Sequence, residues 1–143
     1  ADDALRALRA ALSRRLPEYH GPHYDFAGMI VEPHAVQAKV PLWIGGRTKR
    51  SLRRAVELAD GWVPFGLSLE ELRRMLDTVE LPDGFQVVLS PGRPLDPGTA
   101  ACRDRLARVL EAGATTVSAR IAAKSADHYR EQLEALAELG SEV

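Results

Sequence analysis

Apolar residues at Leu5, Leu8, Leu12 and Leu16 recur at three- and four-residue intervals, the spacing of one helical face, and predict a helix over residues 1–16. Asp2 and Asp3 suit the positive end of its dipole, and Pro17 stops it. Periodicity then disappears. Over residues 17–41, Pro17, Pro22, Pro33 and Pro41, with Gly21 and Gly28, punctuate short extended pieces such as HYDF and MIV. No helix survives that punctuation, and the stretch predicts an inserted arm with a small hairpin.

From residue 42 the pattern becomes regular and predicts four strand–helix units over residues 42–143. Leu42-Trp43-Ile44 ends in Gly45-Gly46 and leads into a helix with Leu52, Ala55, Val56 and Ala59 on one face. Residues 62–66 form the next strand. Ser68 and Glu71 then make an S-x-x-E capping box ahead of a helix carrying Leu72, Met75, Leu76 and Val79. Residues 85–89 are a third strand, followed by a helix with Cys102, Leu106, Val109 and Leu110 inward and Gly113 as its terminator. Residues 115–121 are β-branched and strand-like, and Ser125 caps a last helix with Tyr129, Leu133, Leu136 and Ala137 as its inner face. Continuous apolar strands alternating with amphipathic helices mark a parallel sheet covered on both faces. The fold class is therefore α/β, built of parallel (β/α) units. Four units are half of an eight-unit TIM barrel, which takes about 250 residues, and a small open sheet is the alternative.

Composition narrows the functions open to such a chain. Its 143 residues suffice for one compact domain, and 45% hydrophobic with 27% charged residues is ordinary globular composition. A formal net charge of −1 supplies no field to recruit nucleic acid or an anionic membrane. No apolar run approaches the roughly 18 residues of a membrane span, and the first segment lacks the apolar core of a signal peptide. The single cysteine, Cys102, excludes an intramolecular disulfide and any CxxC metal site. The expectation is a cytoplasmic domain that handles a cofactor or small-molecule substrate, without nucleic acid or membrane partners. The chain begins at Ala1, without methionine, already inside a helix pattern.

Candidate chemistry concentrates in residues 41–55, PLWIGGRTKRSLRRA. A strand ending in two glycines turns directly into a helix, so Gly45 and Gly46 allow close backbone approach and the first helical N–H groups point outward, forming an anion site. Thr48 offers a hydroxyl as N-cap or phosphate donor. Arg47, Lys49, Arg50, Arg53 and Arg54 crowd a helix start where the dipole disfavours each cation by about 0.3–1 kcal/mol. A bound phosphate would offset that, although Arg50, Arg53 and Arg54 also read as a solvated face. The pattern is neither GxGxxG nor a Walker loop. Trp62 and Phe65 could lie against a flat ring at a strand end or fill the core. Arg120, near the end of the last strand, could hold a substrate anion or a structural ion pair. Asp60 reads as a turn residue. His20, His23 and Asp25 lie in the arm and read as surface or packing residues rather than metal ligands; His34 and His128 are isolated, and Cys102 reads as buried filler. The sequence shows a place to hold a ligand and leaves the catalytic residues unknown, with no metal site.

Four segments taken together, HGPHYDF, VEPHAVQ, PLWIGGRT and LADGWVPFG, resemble the luciferase-like monooxygenase family, most closely the branch that uses the deazaflavin coenzyme F420 rather than FMN. The ending AGATTVSAR with YREQLEALAEL is also similar. The resemblance implies a TIM barrel with an excursion before the Gly-Gly strand. It further implies that Gly45, Gly46, Arg47 and Thr48 cradle the phosphate of the coenzyme tail, that residues 62–66 continue the barrel wall and that Arg120 stands near the substrate. The implied activity is two-electron redox chemistry on a small organic molecule, with F420 as coenzyme and FMN as the alternative. Only the C-terminal half of the family pattern is present, so the resemblance also implies a partner: an N-terminal half-barrel, or a second copy in a homo-oligomer. A half-barrel that binds a phospholigand without catalysis, acting by association with a partner, is the competing expectation.

Overall fold

The proline-rich stretch separates a helix from a run of parallel strand–helix units, and this is the order in which the elements form. In the computed structural model, which describes residues 1–141, the chain builds two compact units, Ala1–Phe65 with Leu81–Phe85, and Gly66–Glu80 with the chain from Gln86 onward. The first contains α1 (Asp2–Leu12), a hairpin of β1 (Tyr19–His20) and β2 (Asp25–Phe26), then β3 (Trp43–Gly46), α2 (Lys49–Leu58) and β4 (Gly61–Pro64). The second contains α3 (Leu69–Leu76), β5 (Gln86–Leu89), α4 (Ala100–Glu111), β6 (Thr116–Val117) and α5 (Ala126–Ser141). The architecture is the mixed α/β, parallel strand–helix arrangement expected, and it fits part of a TIM-type barrel. Among the described residues no helix is long and apolar enough to cross a membrane.

In the first unit β3 and β4 pair in parallel, Trp43 opposite Gly61 through Gly46 opposite Pro64. α2 packs against both strands, and Leu52, Ala55 and Trp62 are fully buried. The leucine face expected for α1 is corrected: Leu8 is 45% and Leu16 61% exposed, and the buried positions are Asp3 and Ala7. The cause is polar. Asp3 accepts hydrogen bonds from Tyr19 Oη (2.5 Å), His23 N (2.8 Å) and Tyr24 N (3.0 Å), so this face of α1 is turned onto the hairpin. The Tyr19 bond leads in holding the Asp3 pKa below the usual carboxylate range, against desolvation. Gly21 closes the hairpin where a Cβ would collide with the Tyr19 ring and the Asp3 carboxylate. α1 also stops at Leu12, short of Pro17. Trp43, expected inside, is 48% exposed on β3.

In the second unit β5 and β6 are parallel, Val88 opposite Thr116 and Leu89 opposite Val117. Val87, Val88 and Leu89 are all buried although successive strand residues face opposite ways, so β5 is covered on both faces. β6 is shorter than the apolar run predicts. Beyond it the chain changes partner, and Ile121 bridges to Leu95, whose N–H donates to Arg120 O at 2.7 Å. Leu95, Cys102 and Leu139 form a buried cluster with Leu106 and Leu136 against it. The Ser68/Glu71 capping box forms at α3, and Ser125 Oγ accepts from His128 N at the start of α5. The inner face of α5 is rotated from the expected one: Gln132 and Leu139 are buried while Tyr129 and Leu133 are 47% and 42% exposed. Cys102 is buried, and desolvation raises its pKa, as expected of filler rather than a nucleophile.

Candidate functional site

The turn from β3 into α2 is where chain geometry, polarity and charge coincide. Gly46 ends the strand at φ 153°, in the region that strains any L side chain, and a Cβ there would overlap Ser51 Cβ and Oγ. Gly45 is different. The nearest atom to a Cβ at that position is Val63 O at 3.8 Å, so packing does not require glycine. Its missing side chain leaves the approach to the turn open.

Thr48 is the N-cap of α2. Its Oγ1 accepts from Ser51 N (3.2 Å), and Ser51 Oγ in turn accepts from Thr48 N (3.2 Å) and donates to Thr48 O (2.7 Å). The Trp62 indole N–H also donates to Ser51 Oγ, at 3.3 Å. Ser51 is therefore the residue that ties the turn to the core beneath it. Sequence reasoning passed over it, although the T-x-x-S spacing is a variant of the capping box already recognised at Ser68. Helix geometry leaves the first-turn N–H groups of Lys49 and Arg50 without intrahelical acceptors. There is no acidic residue in that turn.

Arg47, Thr48, Lys49, Arg50 and Arg53 are exposed, and none of the four cations makes an ion pair among the described residues. Arg54 behaves differently from the solvated-face reading. Its Nε lies 2.5 Å from Asp2 Oδ1, joining α2 to α1. The pairing of Gly46 with Pro64 puts Phe65, 62% exposed, at the same end of the β3–β4 pair as Arg47. The two aromatic candidates thus separate: Trp62 is core and Phe65 is surface.

The opposite end of the β3–β4 pair is clamped by Asp60, which is much more than a turn residue. Its carboxylate meets Lys39 Nζ (2.5 Å), Arg9 Nη2 (2.7 Å) and Leu42 N (2.9 Å), while Asp60 N donates to Leu42 O (2.8 Å). Burial opposes its charge, yet the hydrogen bonds from Lys39, Leu42 and Arg9 prevail and bring the pKa down to about 2. Arg9 also donates to Val40 O and Leu58 O. This cluster fixes the entry to β3 and so the position of the turn at its far end.

Arg120 lies in the second unit, exposed, with Nη2 donating to Gly92 O at 2.7 Å. It holds the loop after β5. In the arm, His20 sits between Glu18 (3.0 Å) and Asp25 (3.1 Å), and these carboxylates, Glu18 first, raise its pKa. His23 serves Asp3 through its backbone N–H. His128 Nδ1 accepts from Lys124 N at 3.1 Å, bracing the start of α5. Among the described residues, no three or more His, Cys, Asp or Glu side chains are grouped to hold a metal ion.

No curated protein matches this chain. The sequence model of a family described as luciferase-like monooxygenase does match, over residues 1–139. The match takes in the hairpin arm, the Gly-Gly turn and the parallel strand–helix units. Members of this family generally use a flavin or F420-type coenzyme in oxidoreductase chemistry. The chain belongs to the luciferase-like monooxygenase family.

Proposed function

We propose that this chain is the C-terminal half of an F420-dependent oxidoreductase barrel and contributes the seat for the coenzyme phosphate, FMN being the alternative coenzyme. The observation that carries the reading is the β3–α2 turn. A phosphate fits it because Gly45 leaves its approach open, Lys49 and Arg50 offer first-turn N–H groups, and Arg47, Lys49, Arg50 and Arg53, unlike Arg54, have no carboxylate partner among the described residues. Thr48 Oγ1 is fixed by Ser51 N and keeps its own proton to donate. Arg47, exposed and adjacent to Thr48 in the turn, supplies side-chain charge. Phe65, at the same strand ends, offers an apolar face for the ring system that the phosphate anchors. When bound, the coenzyme supplies two-electron transfer to or from a small organic substrate. Arg120 remains a substrate-side candidate, and catalytic residues are assigned to none of these positions.

Arg47→Glu combined with Thr48→Ala tests the seat. Removing two phosphate donors and inserting a like charge should weaken coenzyme affinity by about 100-fold or more, since each charge-assisted hydrogen bond is worth about 1.5–3 kcal/mol. Fluorescence titration with F420 and with FMN gives both the loss and the preference. Unchanged affinity for both coenzymes in the double variant would remove the proposal.

Exposed apolar side chains support the partner half of the reading. Leu8, Leu16, Ile30 and Val36 in the first unit, and Tyr129 and Leu133 in the second, stand in solvent. Singly such residues are ordinary, but a half-barrel, whose open side a complementary half would close, gives them a cover. We propose an N-terminal half-barrel or a second copy as the cover. Sedimentation equilibrium of this chain should give a mass above its 15.6 kDa. A monomer throughout the micromolar range would exclude the second copy and leave the half-barrel, whose addition should then produce a 1:1 complex.

A further inference from the structure

The loop that follows β5 and the adjoining face of α4 carry guanidinium groups that the coenzyme seat does not use. A cleft of about 630 Å³ opens beside residues 90–93, with Arg93, Arg105 and Arg108 in its wall and Leu69 and Val109 as its apolar side. Arg105 spans the loop from α4. Its Nη1 donates to Pro94 O (3.1 Å), and its Nη2 to Pro91 O (2.8 Å) and Arg93 O (2.5 Å). Arg120 adds the bond to Gly92 O. Four successive carbonyls are thereby occupied by guanidinium donors, and Pro91 O accepts from Arg93 N as well, at 3.1 Å.

None of Arg93, Arg105 and Arg108 makes an ion pair among the described residues. Elsewhere in the same unit Arg73 pairs with Glu111, Arg74 with Glu70 and Arg130 with Asp127 and Glu134. Ser68, which lines the cleft, donates from N and Oγ to the Glu71 carboxylate, both at 2.8 Å, at the start of α3. That carboxylate satisfies the helix end, so the attraction of the cleft for anions rests on the arginines. Arg108 Nε reaches only Asp104 O, at 3.3 Å. Arg105 is committed to the loop carbonyls, which leaves the guanidiniums of Arg93 and Arg108, without a carboxylate partner among the described residues, to meet a ligand with several anionic oxygens in a cleft of small-molecule size. Strand C-terminal ends are where α/β folds collect ligands, and this loop leaves the C-terminal end of β5.

We propose that the second unit has its own oxyanion-binding cleft, formed by Arg93, on a loop positioned by Arg105, and by Arg108 of α4, and that its ligand is a small molecule carrying a phosphate or several carboxylates. The proposal is independent of the coenzyme reading. Calorimetric titration of the full chain with inorganic pyrophosphate at low ionic strength tests it. Wild type should bind at least one equivalent, at this cleft, and a second where the coenzyme seat also takes pyrophosphate. Arg93→Gln with Arg108→Gln should lose one equivalent or weaken it at least tenfold, with the far-ultraviolet circular dichroism spectrum unchanged, whereas Arg47→Glu with Thr48→Ala should keep that equivalent. Arg105 is left intact because it holds the loop. In the Arg47/Thr48 variant, pyrophosphate should still shift the amide resonances of Ser90, Gly92 and Arg93. Repeating the titration with citrate separates the ligand sources, tighter citrate binding pointing to a polycarboxylate and tighter pyrophosphate binding to a phosphate. Pyrophosphate binding unaltered by the Arg93/Arg108 substitutions would overturn the proposal. So would its complete loss in the Arg47/Thr48 variant.

Discussion

Trp62→Ala should destabilise the chain by about 3–5 kcal/mol, the range for emptying a buried aromatic site. Trp62 is fully buried, the largest side chain of which this is true, and it lies under α2 beside Leu52 and Ala55. Its loss also removes the donor to Ser51 Oγ. For a chain of this size the penalty corresponds to a fall in Tm of about 10 °C or more. Trp62→Phe retains most of the volume and should cost about half as much or less. Thermal unfolding followed by circular dichroism compares the two. Equal losses would mean that the indole N–H, not the packed volume, is what the site needs.

The second large effect concerns acid. Asp60 has a folded-state pKa of about 2 against an ordinary value of 3.8. A depressed carboxylate pKa stabilises the folded state fully above the ordinary value and ceases to do so as pH falls through the folded one. The difference corresponds to about 2 kcal/mol, present at neutral pH and lost between about pH 4 and pH 2. Asp60→Asn should therefore remove roughly that stability at pH 7 and flatten the acid limb of a stability–pH curve measured by urea unfolding. An acid limb as steep as that of wild type would assign the effect to other carboxylates.

These two residues also show what could and could not be read from the sequence. Trp62 was visible as part of an apolar run before Pro64, and the run does form β4; which of Trp62 and Phe65 faced inward was not, because each suited either role. Caps and terminators were legible because they act within a few residues: Ser68 with Glu71, Ser125 with His128, Thr48 ahead of α2. Asp60 does stand in the turn between α2 and β4, but its clamping role was not legible because its partners Arg9 and Lys39 lie far away along the chain, where neither periodicity nor spacing carries information. The same holds for Arg54 with Asp2 and for Asp3 with the hairpin. Helix faces failed where a polar anchor outweighed a leucine, as on α1. The Gly-Gly turn was found as a motif, but Ser51 beneath it emerges only when the helix is folded over the strand.

The hydrogen bond from the Trp62 indole to Ser51 gives the chain an optical property. Its two tryptophans occupy opposite environments, Trp62 sealed from solvent and Trp43 half exposed on β3. An aqueous quencher therefore extinguishes the emission of Trp43 first and leaves the light from Trp62. Ser51 accepts from both the indole and the backbone of Thr48, so that remaining emission originates one hydroxyl away from the turn where an anion would sit. The molecule carries an internal lamp beneath its candidate seat.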